Sequence, residues 1–354
     1  MIDSSNKKFW KNKKVFITGH TGFKGSWLCL FLNFLGANII GYSLKPERKS
    51  LYNLASIEKI LKKSYLNDIR DYSKLKSAIV NSKPDIIFHL AAQPLVIESY
   101  KDPIKTYQTN IMGTINLLEV IKNIKKSNIK SAIIITTDKV YEVSKKKIYK
   151  ETDNLGSSDP YSTSKACCEH ICESYRKSFQ KLQKIIATAR TGNVIGGGDY
   201  SKNRLVPDIY RSYEKKTFIT LRNPQFIRPW QHVFEPIIGY LILAKKVYDN
   251  KLTNIKPNWN FGPDNNNCKT VKFLVNKFSK KISLNIKILK NKNKLKENSF
   301  LKLSNKKSKK YLNWKPKWSL ERSIDKIIEW NYEIKKKSVL KTCKKQIYEY
   351  LEQK

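Results

Sequence analysis

The sequence predicts an α/β protein with a Rossmann-like, doubly wound parallel sheet and a smaller mixed α/β C-terminal lobe that binds substrate. Three observations predict it. Over the first 190 or so residues, short apolar runs alternate with helix-period segments, as strands buried on both faces and joined by crossover helices require. A glycine series, Gly19, Gly22 and Gly25, sits between the first apolar run and a helix-like segment. Beyond Arg190 the rhythm breaks into Gly196-Gly197-Gly198-Asp199 and shorter pieces rich in Trp and Pro.

The apolar runs place strands at 14–18, 38–43, 64–67, 85–89, 131–136 and 184–189. Helices fall between them at 25–35, 72–81, 103–122 and 160–179, with polar or Pro-containing connectors. Residues 1–190 are expected to form the dinucleotide-binding domain, with segments at about 230–262 returning to it, and 191–354 to form mainly the substrate lobe. A basic helix from about Ser319 is expected to close that lobe, and the lysine tracts 145–147 and 287–296 read as solvated loops or turns.

Composition narrows the function classes. The 354 residues carry 70 Lys plus Arg against 29 Asp plus Glu, a formal charge of +41. The excess is mostly lysine spread along the whole chain, and no nucleic-acid motif accompanies it. The charge therefore reads as compositional and nucleic acid is set aside as a partner; a basic cleft would still attract a phosphate-bearing substrate. The six cysteines form no C-x-x-C pair and no run of cysteines and histidines resembles a zinc site, so no metal site is expected and the thiols are read as free. No segment approaches the roughly twenty apolar residues of a membrane span, and the start lacks a signal peptide, which favours a cytoplasmic protein.

The series Gly19-His20-Thr21-Gly22-Phe23-Lys24-Gly25 follows a strand and opens a helix. Glycines there let the backbone approach a pyrophosphate, which sits at the positive helix N-terminus. Thr21, Phe23 and Lys24 join the glycines as candidate cofactor contacts. Asp68 and Ile69, after the third strand, are placed to meet adenine; Ala91, Ala92 and Gln93, after the fourth, to pack against the cofactor. The end of the second strand offers Lys45 and Arg48 but no acidic ribose ligand, so the residues leave NAD and NADP open.

Two clusters carry the chemistry. Tyr161 and Lys165 lie four positions apart, hence on one helix face, where an ammonium can stabilise a phenolate. Using a phenol as a base near neutrality asks for a pKa depression of roughly three units, about 4 kcal/mol. Thr137-Asp138-Lys139 adds an acid and a second amine, suited to moving a carbon-bound proton and protonating a departing hydroxyl. Neighbours on a regular strand point to opposite faces, so Asp138 and Lys139 must lie where the fifth strand unravels. In the second lobe Arg204 and Arg228 are the candidate phosphate ligands. His232 is a further candidate contact, as a hydrogen-bonding rather than a metal-ligating histidine, and Trp230 reads equally as core packing or base contact.

Nearly the whole chain resembles the extended short-chain dehydrogenase/reductase family, and within it the CDP-glucose 4,6-dehydratases. The resemblance is carried by Gly19 to Leu28, Thr137-Asp138-Lys139, Arg190 to Asp199 and Arg228 to Pro236. Lysine at 139, where the dTDP-glucose and GDP-mannose enzymes typically carry glutamate, points to the CDP-sugar group. The resemblance implies NAD as cofactor, CDP-glucose as substrate, Asn193 near the diphosphate or sugar, and a homodimer or higher homo-oligomer. It also implies a redox cycle. Tyr161, with Lys165 and Thr137, takes the 4-hydroxyl proton as hydride leaves C4; Lys139 removes the C5 proton, Asp138 protonates the 6-hydroxyl, water departs and hydride returns to C6. The demanding role is that of Lys139, because a free lysine is almost wholly protonated at neutral pH.

Overall fold

The computed structural model describes residues 4–144, 148–289 and 299–352, the side chains of 4–6 excepted. Strands β1 (Lys14–Thr18), β2 (Asn38–Ser43), β3 (Lys63–Leu66), β4 (Ile86–His89), β5 (Ser131–Ile135) and β6 (Ile186–Thr191) join a seventh, Asn258–Phe261, in one sheet. From that seventh strand inward the order is β6, β5, β4, β1, β2, β3, and every pairing is parallel. The order reverses at β1, which lies between β2 and β4, so a crevice opens beyond the carboxyl ends of β1 and β4.

The central strands are buried on both faces, which is why their sequences read as continuous apolar runs. Alternation sorts them into two cores. Val15, Ile17, Ile133 and Ile135 face the layer that holds helix Phe23–Phe34 and helix Phe234–Tyr248, whereas Phe16, Ala132 and Ile134 face helices Tyr72–Ser82 and Gly113–Asn123. Helix Phe23–Phe34 is covered almost all round, with Trp27 to Leu32 buried, because it lies between the sheet and the C-terminal helix Val339–Glu352. That last helix is tied down by Glu235, whose carboxylate accepts from the Tyr350 hydroxyl (2.6 Å) and from the Lys317 and Trp318 amides (3.0 and 2.9 Å).

The smaller mixed lobe is built from paired short strands, Phe218–Leu221 with Asn285–Ile288 and Ile227–Pro229 with Cys268–Thr270. They pack with helices Leu205–Glu214, Val271–Ser279 and Leu320–Glu333 around a third core containing Ile195, Val206, Ile219, Trp230, Phe278 and Ile324.

Four details differ from the sequence reading. The helix expected at 103–122 is Pro103–Tyr107, a π-helical turn Gln108–Met112 and then Gly113–Asn123. The turn swings Asn110 inward, where its amide bonds Ser164 Oγ (2.8 Å) and the backbone of Gln93, and a Cβ on Gly113 would stand 2.8 Å from Ile69. β6 begins and ends two residues later than expected. The tail holds two helices, the first capped by Ser319. Of the tract 287–296, Lys287 and Ile288 lie in a strand paired with Phe218–Leu221; the remainder from 290 and the tract 145–147 lie outside the described residues.

Candidate active site

The crevice is a cavity of about 670 Å³ running from the glycine loop to the small lobe. Gly19 has φ +78° and sits so close to the β4 loop that a Cβ would be 2.7 Å from Ala91 N. On Gly25 a Cβ would be 2.1 Å from the Gly19 carbonyl, a backbone atom with no room to move. Between them, a Cβ on Gly22 would meet only that carbonyl, at 3.4 Å, so the loop is closed on itself and open toward the cavity. That bare backbone at the start of helix Phe23–Phe34 fits a dinucleotide pyrophosphate. His20 turns away: its ring lies where a side chain on Gly41 would be, bonds Ser64 Oγ at 2.9 Å, and burial lowers its pKa to about 4.

Thr21, Phe23, Lys24, Asp68, Ile69, Ala91 and Ala92 line the cavity with the three glycines. At the end of β2 the lining is Ser43 and Leu44, held by Thr21 Oγ1 (2.8 Å to Ser43 Oγ, 3.1 Å to the Leu44 carbonyl); Lys45 and Arg48 do not line it. Arg70, which the sequence reading missed, does. Its guanidinium grips Asp68 at 2.7–3.1 Å and holds that carboxyl below its usual range. Gln93 is absent from the wall, since its side chain bonds Thr106 (2.8 Å) and the Leu95 backbone and so shapes the loop instead.

β5 ends at Ile135, and Asp138–Val140 form a single 3₁₀ turn whose start is capped by Thr137. Because the pleat has ended, Asp138 and Lys139 both line the cavity. Asp138 is 3% exposed; one oxygen accepts from the Thr137 hydroxyl (3.1 Å), while the other, Oδ2, is buried without a hydrogen-bond partner among the described residues. Burial raises its pKa, against the pull of Lys139, Thr137 and Arg228. Room for that carboxylate comes from Gly192, where a Cβ would be 2.8 Å from Oδ2 and 2.4 Å from Pro229.

Tyr161 stands in the first turn of helix Pro160–Ser178, which starts on a capping Asp159 and Pro160. One turn on, Lys165 Nζ donates to the Ile135 carbonyl at 3.1 Å, and burial lowers its pKa. The expected depression of the phenol is not present in the protein alone. Burial pushes Tyr161 up to about 12; the Thr137 hydrogen bond and Arg204 pull it down, and Asp138 and Asp159 push it further up. A further turn along, Glu169 accepts from Thr136 (2.5 Å), Thr188 (2.6 Å) and Arg190 (2.9 Å), so β5, β6 and the Tyr161 helix meet at one carboxylate. Burial opposes its charge, but Arg190 and the hydroxyls outweigh that and its pKa stays low.

On the small-lobe side, Asn193, Arg204 and Arg228 line the cavity. The loop bearing Asp199 is fixed by Trp27, whose indole donates to the Gly197 carbonyl (2.9 Å), and by Trp330, whose ring lies where a Gly197 Cβ would be. Asp199 accepts from Arg204 at 3.2 Å and from Ser201. Arg228 is 4% exposed and lies over the Phe226 ring at 5.1 Å. Trp230 packs in the third core cluster, where its indole donates to the Lys269 carbonyl, and it also lines the cavity. His232 lies away from the wall, fully buried between Phe234 and Trp318 at 4.3 and 4.7 Å, with its pKa lowered by burial to about 3; it is a packing residue. Arg222, Asn223 and Phe226 also line the cavity, from a loop whose only sequence signal is a turn at Asn223-Pro224. Among the described residues no group of His, Cys, Asp and Glu could hold a metal, and no helix is long and apolar enough to cross a membrane. All six cysteines are free.

Comparison with known proteins accords with this geometry. Residues 16–327 match the family model described as GDP-mannose 4,6 dehydratase. The chain is 42% identical to the CDP-glucose 4,6-dehydratase of Salmonella typhimurium, over 99% of both chains, and 36% identical to the dTDP-D-glucose 4,6-dehydratase of Dictyostelium discoideum over 55% of this chain and 46% of that one. In fold it is similar to the dTDP-glucose 4,6-dehydratase of Bacillus anthracis, solved with NAD (TM-score 0.76, 23% identity, 94% of this chain and 99% of that one). The UDP-glucuronic acid 4-epimerase of Bacillus cereus, solved with UDP-glucuronic acid and NAD, is also similar (TM-score 0.72, 24% identity, 89% and 99%). The match runs through the parallel sheet with its crevice at the strand reversal, the glycine loop closed on itself, and the cavity lined by Tyr161, Lys165, Asp138 and Lys139: the chain belongs to the GDP-mannose 4,6 dehydratase family, within the extended short-chain dehydrogenases/reductases.

Proposed function

We propose that the protein is an NAD-dependent nucleotide-sugar 4,6-dehydratase that converts CDP-D-glucose to CDP-4-keto-6-deoxy-D-glucose and water. One observation carries the reading: an oxidation pair, Tyr161 with Lys165, and an elimination pair, Asp138 with Lys139, line the same cavity. Oxidation alone needs only the first. The choice of CDP-glucose rests on the 42% identical Salmonella relative and on lysine at 139.

Gly19, Gly22 and Gly25, with Thr21, Phe23, Asp68, Ile69, Ala91 and Ala92, would hold NAD, and the neutral lining at Ser43 and Leu44 suits a ribose without a 2′-phosphate. When bound, NAD supplies a hydride acceptor at C4 of the sugar and returns the hydride to C6. Tyr161 takes the 4-hydroxyl proton; burial holds the phenol at about 12 even with Thr137 and Arg204 pulling it down, and the positive nicotinamide would supply the further pull that lets it act as a base. Thr137 holds the phenol by a hydrogen bond, and Lys165 fixes the helix through Ile135. The new 4-ketone acidifies the C5 proton, which Lys139 removes. Asp138, whose pKa burial raises, gives its proton to the 6-hydroxyl as water leaves. Arg204, Arg228 and Asn193 take the diphosphate and sugar.

Within this reading residues 1–190, with 230–262, serve as the cofactor domain and most of 191–354 as the nucleotide-sugar lobe. The enzyme works in the cytosol, where its six thiols stay reduced, and as a homodimer through the helices at 103–122 and 160–179. The test is incubation with CDP-, dTDP-, GDP- and UDP-sugars under mass spectrometry. Loss of one water from CDP-glucose, faster than from the others, is expected; an unchanged mass with an epimerised sugar would overturn the dehydratase reading.

A further inference from the structure

Lysines that are scattered along the sequence are gathered by the topology. All seven strands of the sheet run parallel, so the segments that lead into them meet at one edge, opposite the crevice. Those segments, 11–13, 35–37, 61–62, 83–85, 124–130, 179–185 and 249–257, carry eleven lysines, no arginine and two acids, Asp85 and Asp249. Ten of the eleven lysines are exposed. Both acids are engaged: the Asp85 carboxylate accepts from the Lys14 amide at 2.8 Å, and Asp249 pairs with Lys245 at 2.5 Å. The convergence is visible at Tyr248, whose ring centre lies 4.7 Å from Lys13 Nζ and 5.1 Å from Lys130 Nζ, cations delivered ahead of two different strands. The opposite edge is mixed in charge. There the segments that leave β1 to β4, 19–22, 44–50, 67–71 and 90–95, hold four Lys plus Arg against three Asp plus Glu. The positive excess of the sheet is therefore concentrated on the edge away from the site.

We propose that this edge is an electrostatic docking surface for a bilayer that carries anionic lipid. Three features favour a lipid surface. The lysines stand on six separate segments along a sheet edge, which suits a plane of phosphates with charge everywhere and no fixed spacing. They are point charges on flexible stems, without the arginine forks that read base edges in nucleic acid. Contact at this edge also leaves the crevice turned to water, about 16 Å away along the five residues of β1, so ligands can still enter.

Co-sedimentation of the full chain with lipid vesicles tests it. Binding is expected to vesicles of equal phosphatidylglycerol and phosphatidylcholine but not to phosphatidylcholine alone, and it should weaken as salt rises. Combining Lys11→Gln, Lys125→Gln, Lys184→Gln and Lys256→Gln should lower the affinity about fivefold for each lysine that meets the bilayer, on the order of a hundredfold for the four. The melting temperature and NAD affinity of that variant should stay those of wild type, since none of the four lines the cavity. A matched variant of equal net charge, with Lys215→Gln, Lys272→Gln, Lys280→Gln and Lys287→Gln at exposed sites on the small lobe, should keep wild-type vesicle binding. Equal losses in the two variants, equal binding to the uncharged vesicles, or no binding to the anionic ones would overturn the proposal. So would a short DNA duplex that binds more tightly than the vesicles at physiological salt through the same four lysines, which would make this edge a nucleic-acid surface.

Discussion

The ammonium of Lys165 donates to the carbonyl of Ile135 at 3.1 Å, so the helix that carries Tyr161 is fastened to the last residue of β5, immediately before the Thr137-Asp138-Lys139 turn. Base and acid are therefore positioned by one contact. Replacing Tyr161 by Phe should lower kcat by about a hundredfold to ten-thousandfold while leaving CDP binding intact, whereas Lys165→Met should in addition loosen the helix and lower the melting temperature. Steady-state kinetics beside calorimetry and thermal melts separate the two.

Asp138→Asn removes the proton for the leaving hydroxyl but leaves Tyr161 in place. Oxidation at C4 should continue and elimination stall, with kcat down about a hundredfold or more. Reduced nicotinamide should then accumulate in a single turnover, visible by its absorbance; no accumulation would argue that Asp138 acts before hydride transfer.

Lys139→Met tests the C5 base. If Lys139 removes that proton, solvent deuterium no longer enters C5 during a stalled reaction. Persisting exchange would assign the step to another group and leave Lys139 as a cation beside the enolate.

Gly192→Ala would place a methyl 2.4 Å from Pro229 and 2.8 Å from Asp138 Oδ2. The backbone must give or the carboxylate must move, at a cost of about 1–3 kcal/mol. Because Gly192 lies away from the glycine loop, kcat should fall with NAD affinity within about twofold of wild type; a displacement of that size beside chemistry is enough. Kinetics and a cofactor titration on the same preparation check it.

Acid should destabilise the protein through His232. Burial lowers its folded pKa to about 3 against 6.5 unfolded, so the unfolded chain binds the extra proton. The stability is complete above 6.5 and is lost as pH falls toward 3, amounting at pH 5 to about 2 kcal/mol from this residue. In His232→Gln the melting temperature should fall less steeply between pH 7 and pH 5, even if it starts lower; equal slopes would remove His232 as the cause.

Much of this was legible in the sequence because the signals are local. Tyr161 and Lys165 share a helix face by their spacing, and Asp138 and Lys139 share a cavity because a strand stops before them. What escaped depends on where side chains are sent by distant contacts. Gln93 follows β4 as a cofactor contact would, yet Thr106 and Asn110 draw it into the loop. His232 sits in a motif with Arg228, yet Phe234 and Trp318 close over it. Arg222, Asn223 and Phe226 reach the cavity from a loop without a motif, and the π turn at Gln108–Met112 leaves no mark in the apolar period.

The indole of Trp27 bonded to the Gly197 carbonyl has a bearing on redesign. It couples the cofactor cradle to the loop that anchors Asp199 and Arg204, so substitutions on either side of that bond would disturb both halves together. The segment Thr220 to Phe226 lies outside this coupled block while still lining the cavity. Exchanging that segment would reshape the small-lobe wall of the cavity while leaving Tyr161, Lys165, Asp138 and Lys139 untouched.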